Sequence, residues 1–236
     1  GKFYSFRERP WYKAMVREQT ALAKRFGFRR VPDLKLAVAK KLREWVQNGG
    51  FLFAMCSATD TYDIALAAEG IDIVGEIYDG TPYDPAANAR LNYEACIAFQ
   101  NFQVLLDPYN YEFSNIDTNT REERRYIRES EDYFTLREFS AKWDPIPTML
   151  CQNHETTVKG FYGQTTGYDP RLLKPHVVVM GEFKAINEAR YIHGILGRGF
   201  WTFYGGHDPE DYQHLVEEPP TDVSKYPTSP GYRLIL

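Results

Sequence analysis

The chain has 236 residues, 43% hydrophobic and 25% charged, which is enough for one globular domain with a substantial core. A balance of 28 Lys+Arg against 32 Asp+Glu leaves a formal charge of −4, which argues against nucleic-acid binding driven by phosphate contacts. No apolar run is long enough to span a bilayer, three cysteines without a Cys-x-x-Cys pair exclude a disulfide scaffold and a four-cysteine zinc site, and 15 Phe, 17 Tyr and 4 Trp exclude dominant disorder.

In chain order, residues 1–10 are basic and aromatic and read as the middle of a longer protein. Pro10 suits a first helical turn, so the sequence predicts a helix from Trp11 to Phe26, ended by Gly27. Asp33 is the expected N-cap of a second helix, Leu34 to Asn48, with Leu34, Val38, Leu42 and Val46 at helical spacing and Gly49-Gly50 as its stop. Phe51-Leu-Phe-Ala-Met55 follows without polar alternation, as in a strand buried on both faces. Ser57 to Ala68 reads as a helix closed by Gly70. Helix, Gly-Gly, buried strand, sharp turn and helix together predict a parallel sheet with helical cover.

Residues 75–120, rich in Pro, Asn and Asp, predict long loops with short elements and a strand near Phe102–Leu106. The mixed-charge run Arg121–Asp132 reads as a solvated helix or loop. Strand signals return at Thr148–Cys151, His176–Met180, Ala189–Ile195 and Gly199–Tyr204. The tail 217–236 holds four prolines and reads as surface coil, and nothing splits the chain into separate domains.

Cys56 is the first candidate for chemistry. It ends the buried strand and precedes a helix, so it would project at the carboxyl end of the sheet, where open α/β folds bind ligands. At such an elbow the helix N-terminus favours the thiolate, and the Ser57 N–H can face a developing oxyanion. The elbow needs small neighbours two positions away, and Ala54 and Ala58 supply them. The structural alternative is a buried, inert cysteine, the reading given to Cys96 and Cys151.

The second candidate follows the aromatic strand Gly199–Tyr204. After Gly205-Gly206 comes His207, with Asp208 and Glu210 close enough in sequence to orient its imidazole, the usual partner of a thiol nucleophile. Its structural alternative is a turn histidine beside a helix start at Asp208-Pro-Glu210. His154, His176, His193 and His214 form no short metal-ligand spacing, and no Gly-x-Gly-x-x-Gly or Walker A lysine is present. No metal and no cofactor are therefore expected.

The segments Ala54-Met-Cys-Ser-Ala58 and His207-Asp-Pro-Glu210 resemble the class I glutamine amidotransferase-like superfamily, where a Gly-x-Cys-x-Gly elbow works with a His-x-Glu after a late strand. Two alanines replace the glycines, and one extra residue separates His207 from Glu210, which leaves Asp208 and Glu210 both open as the orienting acid. The run Gly197–Glu210 also resembles the Gly-His-Asp region of the trehalose-utilisation (ThuA-like) branch, whose members generally lack the cysteine. Almost the whole chain is similar to a group of Bacteroidetes proteins labelled asparagine synthetase B. Phe51–Asp60, Glu138–Pro145, Glu188–His193 and Tyr204–His214 carry that similarity. An authentic synthetase of that type needs an N-terminal cysteine and a Ser-Gly-Gly pyrophosphatase loop, and this sequence has neither.

The resemblance implies a flavodoxin-like three-layer α/β sandwich with a mostly parallel sheet, here a C-terminal portion lacking its first strands. It also implies a periplasmic or exported protein. The function it implies is cysteine-dependent amide or ester hydrolysis, or amidotransfer, through a Cys56 thioester. Cys56, His207, Glu210 and Asp208 would be catalytic, with Ser57 as oxyanion donor. Two alternatives stand beside it. One is a non-catalytic carbohydrate-binding or assembly module, suited by aromatics in Tyr78–Tyr83, Tyr109–Phe113 and Phe161–Tyr168; the other is a ThuA-like sugar-processing enzyme. The partners expected are a small-molecule substrate, a second copy or an assembly partner, with no nucleic acid and no membrane span.

Overall fold

A computed structural model describes residues 6–110, 112–118, 133–137, 157–159 and 167–205. It is an α/β structure whose six described strands form one mixed sheet.

Helix α1, Pro10–Arg25, has proline in its first turn and Lys24 and Arg25 in its last, where cations suit the carbonyl end of the helix dipole. Helix α2, Val31–Gln47, begins three residues before the sequence expectation. Pro32 occupies the first turn, and Asp33 is not the N-cap: its carboxylate accepts from the Arg30 guanidinium at 3.1 and 3.3 Å. Gly49, at φ +110°, then turns the chain where an L side chain would be strained.

Strand β1, Phe51–Met55, matches its sequence expectation and leads through Cys56 and Ser57 into α3, Ala58–Ala67. The 75–95 stretch holds only the short helices α4, Glu76–Asp79, and α5, Ala87–Arg90, and one 3-10 turn at Tyr93–Ala95. The strand expected at Phe102–Leu106 is reduced to an isolated bridge between Val104 and Ser114. Strands β2, Tyr133–Leu136, and β3, Thr157–Lys159, were not expected. Strands β4, Val178–Phe183, β5, Glu188–Leu196, and β6, Gly199–Tyr204, complete the sheet.

The strand order is β1-β6-β5-β4-β2-β3. Only β1–β6 is parallel, and the other four pairings are antiparallel. The mostly parallel sheet of the sequence reading is thus met at one pairing among the described strands. Between β5 and β6 the cause is a short connection: Gly197-Arg198 joins them as a two-residue hairpin, and a parallel crossover needs a dozen residues or more. Residues 1–5, 111, 119–132, 138–156, 160–166 and 206–236 lie outside the described residues, and with them the charged run Arg121–Asp132, the strand expected at Thr148–Cys151, most of the aromatic stretch Phe161–Tyr168 and the tail 217–236.

Core packing gives β1 its orientation. Leu52 and Ala54 face a cluster that includes Ala39 of α2, Tyr62, Ile64 and Leu66 of α3, and Trp201 and Phe203 of β6. Phe51 and Phe53 face the other way and are 44% and 37% exposed, with Phe51 stacked on Phe200 at 4.6 Å. Among the described residues β1 is therefore an edge strand, buried on one face and not two. Gly199 explains how closely α2 approaches β6: a Cβ there would lie 2.1 Å from the Val46 carbonyl oxygen and 2.3 Å from that of Gly50.

Candidate active site at the Cys56 elbow

Because β1 and β6 run parallel, their carboxyl ends lie side by side, with Met55 paired to Tyr204. The next residue, Cys56, has φ +53°, one of three non-glycine residues with positive φ among those described. A left-handed conformation at a residue with a Cβ costs on the order of 1–2 kcal/mol, so the surroundings must hold it in place. They do so from both sides. The Cys56 N–H donates to the Tyr204 carbonyl at 2.9 Å, and the Cys56 carbonyl accepts the Thr59 N–H at 3.1 Å and the Thr59 hydroxyl at 2.6 Å.

Ser57 then returns to φ −64°, ψ −7° and starts α3, its carbonyl accepting from the Thr61 N–H and hydroxyl. Strand thus gives way to helix across two residues, and the thiol stands at the N-terminal end of a ten-residue helix. Cys56 and Ser57 are half-buried, while Ala58 is exposed.

Beneath the elbow lies a buried polar layer that the sequence did not reveal. Thr59, Asp60 and Tyr168 have no exposed surface, and Asp117 is nearly as buried. The Tyr168 phenol donates to the Thr59 hydroxyl at 2.9 Å. Burial raises the Tyr168 phenol well above its ordinary range, opposed by its bond to Thr59 and reinforced by the nearby acidic groups Asp60, Asp117 and Cys56. Tyr168 therefore remains a protonated donor across the neutral range. Its backbone exchanges hydrogen bonds with Ala189 of β5 at 2.8 and 3.0 Å, which anchors it to the sheet. The Tyr168 side chain is a core group, the use of these aromatics that a large core would make, and not a surface for stacking.

His207, Asp208 and Glu210 lie outside the described residues, as do Cys151, His154 and His214. The described histidines have local partners: His176 Nε2 lies 3.2 Å from the Ile97 carbonyl, and His193 Nδ1 lies 3.3 Å from the Thr202 hydroxyl. Cys96 is buried, with its Sγ 3.4 Å from the Asp63 carbonyl oxygen; burial, then the nearby Asp63 charge, pushes its thiol far up. Among the described residues no group of three or more His, Cys, Asp or Glu is placed to hold a metal ion. None of their helices is long and apolar enough to cross a membrane.

A cleft of about 920 Å³ opens between α2, α3 and the loops at 70–75 and 104–108. Leu36, Leu42, Ile64 and Leu106 line it, and it reaches the first turns of α3 at Ala58 and Thr61. Arg30 stands on its rim, held by Asp33, Asp72 and Asp79 at 3.1–3.4 Å. Comparison with protein-family models, curated proteins and solved structures found no match to this chain.

Proposed function

We propose that the protein is a cysteine-dependent acyl-transfer enzyme acting on amides or esters, with Cys56 as nucleophile and an amidotransferase-like unit built from β1, the elbow, α3 and β6. The observation that carries this reading is the positive φ of Cys56 at the junction of a strand and a helix. That conformation turns the residue out of the strand line, and it is maintained at a cost that an inert cysteine gives no reason to bear.

In the proposed reaction the thiolate sulfur bonds to the substrate carbonyl carbon, whose π electrons move to oxygen beside the Ser57 N–H. The oxyanion collapses, the amine or alcohol leaves with a proton from His207, and water hydrolyses the thioester. His207 follows Tyr204, the residue whose carbonyl accepts the Cys56 N–H, by three positions in the sequence. Either Asp208 or Glu210 orients the imidazole, and glutamine is the acyl donor by family resemblance. The wider flavodoxin-like sandwich belongs to the same proposal. An electrophilic glutamine analogue should form a stoichiometric adduct at Cys56, absent in Cys56→Ala and strongly slowed in His207→Ala. No adduct in a folded wild type would overturn the reading.

One observation favours a second reading, a non-catalytic assembly module. The Phe51–Phe200 stack and Phe53 form an exposed aromatic patch on the open face and edge of the sheet. That reading gains if the analogue fails and Phe51→Ser abolishes self-association measured by sedimentation.

A further inference from the structure

We propose that Tyr168 and Thr59 are positioning residues for the oxyanion donor: a hydrogen-bond chain from the Tyr168 phenol through the Thr59 hydroxyl to the Cys56 carbonyl fixes the Cys56–Ser57 peptide with its N–H turned away from the core. The proposal rests on the acyl-transfer reading above and adds residues that neither the elbow motif nor the histidine segment contains.

The chain is continuous, with Tyr168 Oη to Thr59 Oγ1 at 2.9 Å and Thr59 Oγ1 to the Cys56 oxygen at 2.6 Å. A hydroxyl has one proton, so Thr59 must accept from Tyr168 in order to donate to Cys56. In a planar trans peptide the C=O and N–H point in opposite directions. The Cys56 carbonyl is held inward, toward a threonine with no exposed surface, so the Ser57 N–H of the same peptide is directed outward on the half-buried side of the elbow. Rotating that peptide would break the bonds from both the Thr59 N–H and its hydroxyl.

Tyr168 makes this a built device instead of a local turn. It stands 109 residues from Thr59 in sequence and is tied by its backbone to β5, so the sheet itself braces the threonine hydroxyl. A threonine in the first turn of a helix would otherwise be free to choose among rotamers. The phenol leaves Thr59 Oγ1 with its proton aimed at Cys56.

The chemistry supplies a readout that a merely structural role would not move. When Cys56 attacks p-nitrophenyl acetate, a sulfur–carbon bond forms, an oxyanion develops and collapses, and p-nitrophenolate leaves with its electron pair. When Cys56 attacks iodoacetamide, a sulfur–carbon bond forms as iodide leaves, and no oxyanion develops. Loss of aim at the donor should therefore slow acylation and spare alkylation.

The experiment measures both rates at Cys56 by peptide mapping in wild type, Tyr168→Phe, Thr59→Val and Thr59→Ser, each first checked by thermal melt. Tyr168→Phe and Thr59→Val should acylate about tenfold more slowly, a fraction of what deleting an oxyanion donor costs, with alkylation unchanged. Thr59→Ser, which keeps the hydroxyl, should acylate like wild type. Unchanged acylation in both hydroxyl-deleting variants, or parallel loss of the two rates, would overturn the positioning role while leaving Cys56 as nucleophile. Wild type that alkylates but never acylates at Cys56 would overturn the acyl-transfer reading, and this one with it.

Discussion

The Cys56 N–H donates to the Tyr204 carbonyl at 2.9 Å, one residue past the last register pair of the parallel strands β1 and β6. That bond makes the elbow a continuation of the sheet and not a loose loop. Together with the Thr59 bonds to the Cys56 carbonyl, it fixes a conformation that the residue would not adopt unaided.

The first expectation concerns labelling order. Cys56 is half-buried at a helix N-terminus, whereas Cys96 is buried and its thiol is pushed far up by burial. Iodoacetamide should therefore modify Cys56 below pH 8, well before Cys96 or Cys151. Equal, slow modification of all three in the native protein would count against a reactive elbow.

Backbone strain gives a second test. Glycine adopts φ +53° without a Cβ clash, while a β-branched residue resists it most strongly. Cys56→Gly should melt at or above the wild-type temperature, and Cys56→Val should melt several degrees lower, since about 1–2 kcal/mol separates the two conformational costs. If Cys56→Val melts as high as Cys56→Gly, the left-handed conformation is not present in solution.

Asp63 provides a pH dependence. Its carboxylate, fully buried in α3, accepts the backbone N–H groups of Ile97, Ala98 and Phe99 at 2.7–2.8 Å and so anchors the segment beneath the helix. Burial nevertheless outweighs those bonds and raises its pKa to about 6. Below about pH 4 the carboxyl is protonated in both folded and unfolded chains. Between there and about pH 6 only the unfolded chain releases the proton, so rising pH erodes stability, and above that window the loss is complete. Asp63→Asn, which cannot ionise, should carry a constant penalty of about 1–3 kcal/mol for turning an amide donor toward an N–H. Its deficit relative to wild type should shrink by roughly 3 kcal/mol or less as pH rises through the window. Melts showing a constant or widening gap between pH 4 and pH 6 would contradict this.

What was legible in the sequence follows the range of the interactions. β1 was readable as an apolar run directly after Gly49-Gly50, β6 as an aromatic run between Gly199 and Gly205, and α3 because its turns follow β1 directly. The Cys56 elbow was readable for the same reason, since Ala54, Ser57 and Ala58 lie within two residues of it. Asp33 misled because its carboxylate serves Arg30, a competition that local capping preference does not weigh. β2 was not readable: it is four residues long and gains its place by pairing with β4, whose partners lie more than forty residues away in sequence. The Tyr168–Thr59 bond left no sequence signal at all, because neither residue type is unusual where it stands and only the assembled sheet brings them together.

Catalysis by Cys56 and His207 is tested most directly by the rate of p-nitrophenolate release from an activated ester in wild type, Cys56→Ala, His207→Ala and the double variant. Thiol and imidazole acting as one unit predict that each single change removes nearly all release above the uncatalysed background, and that the double variant loses little more. A His207→Ala protein that releases product at the wild-type rate, or a Cys56→Ala protein that still turns over, would contradict it.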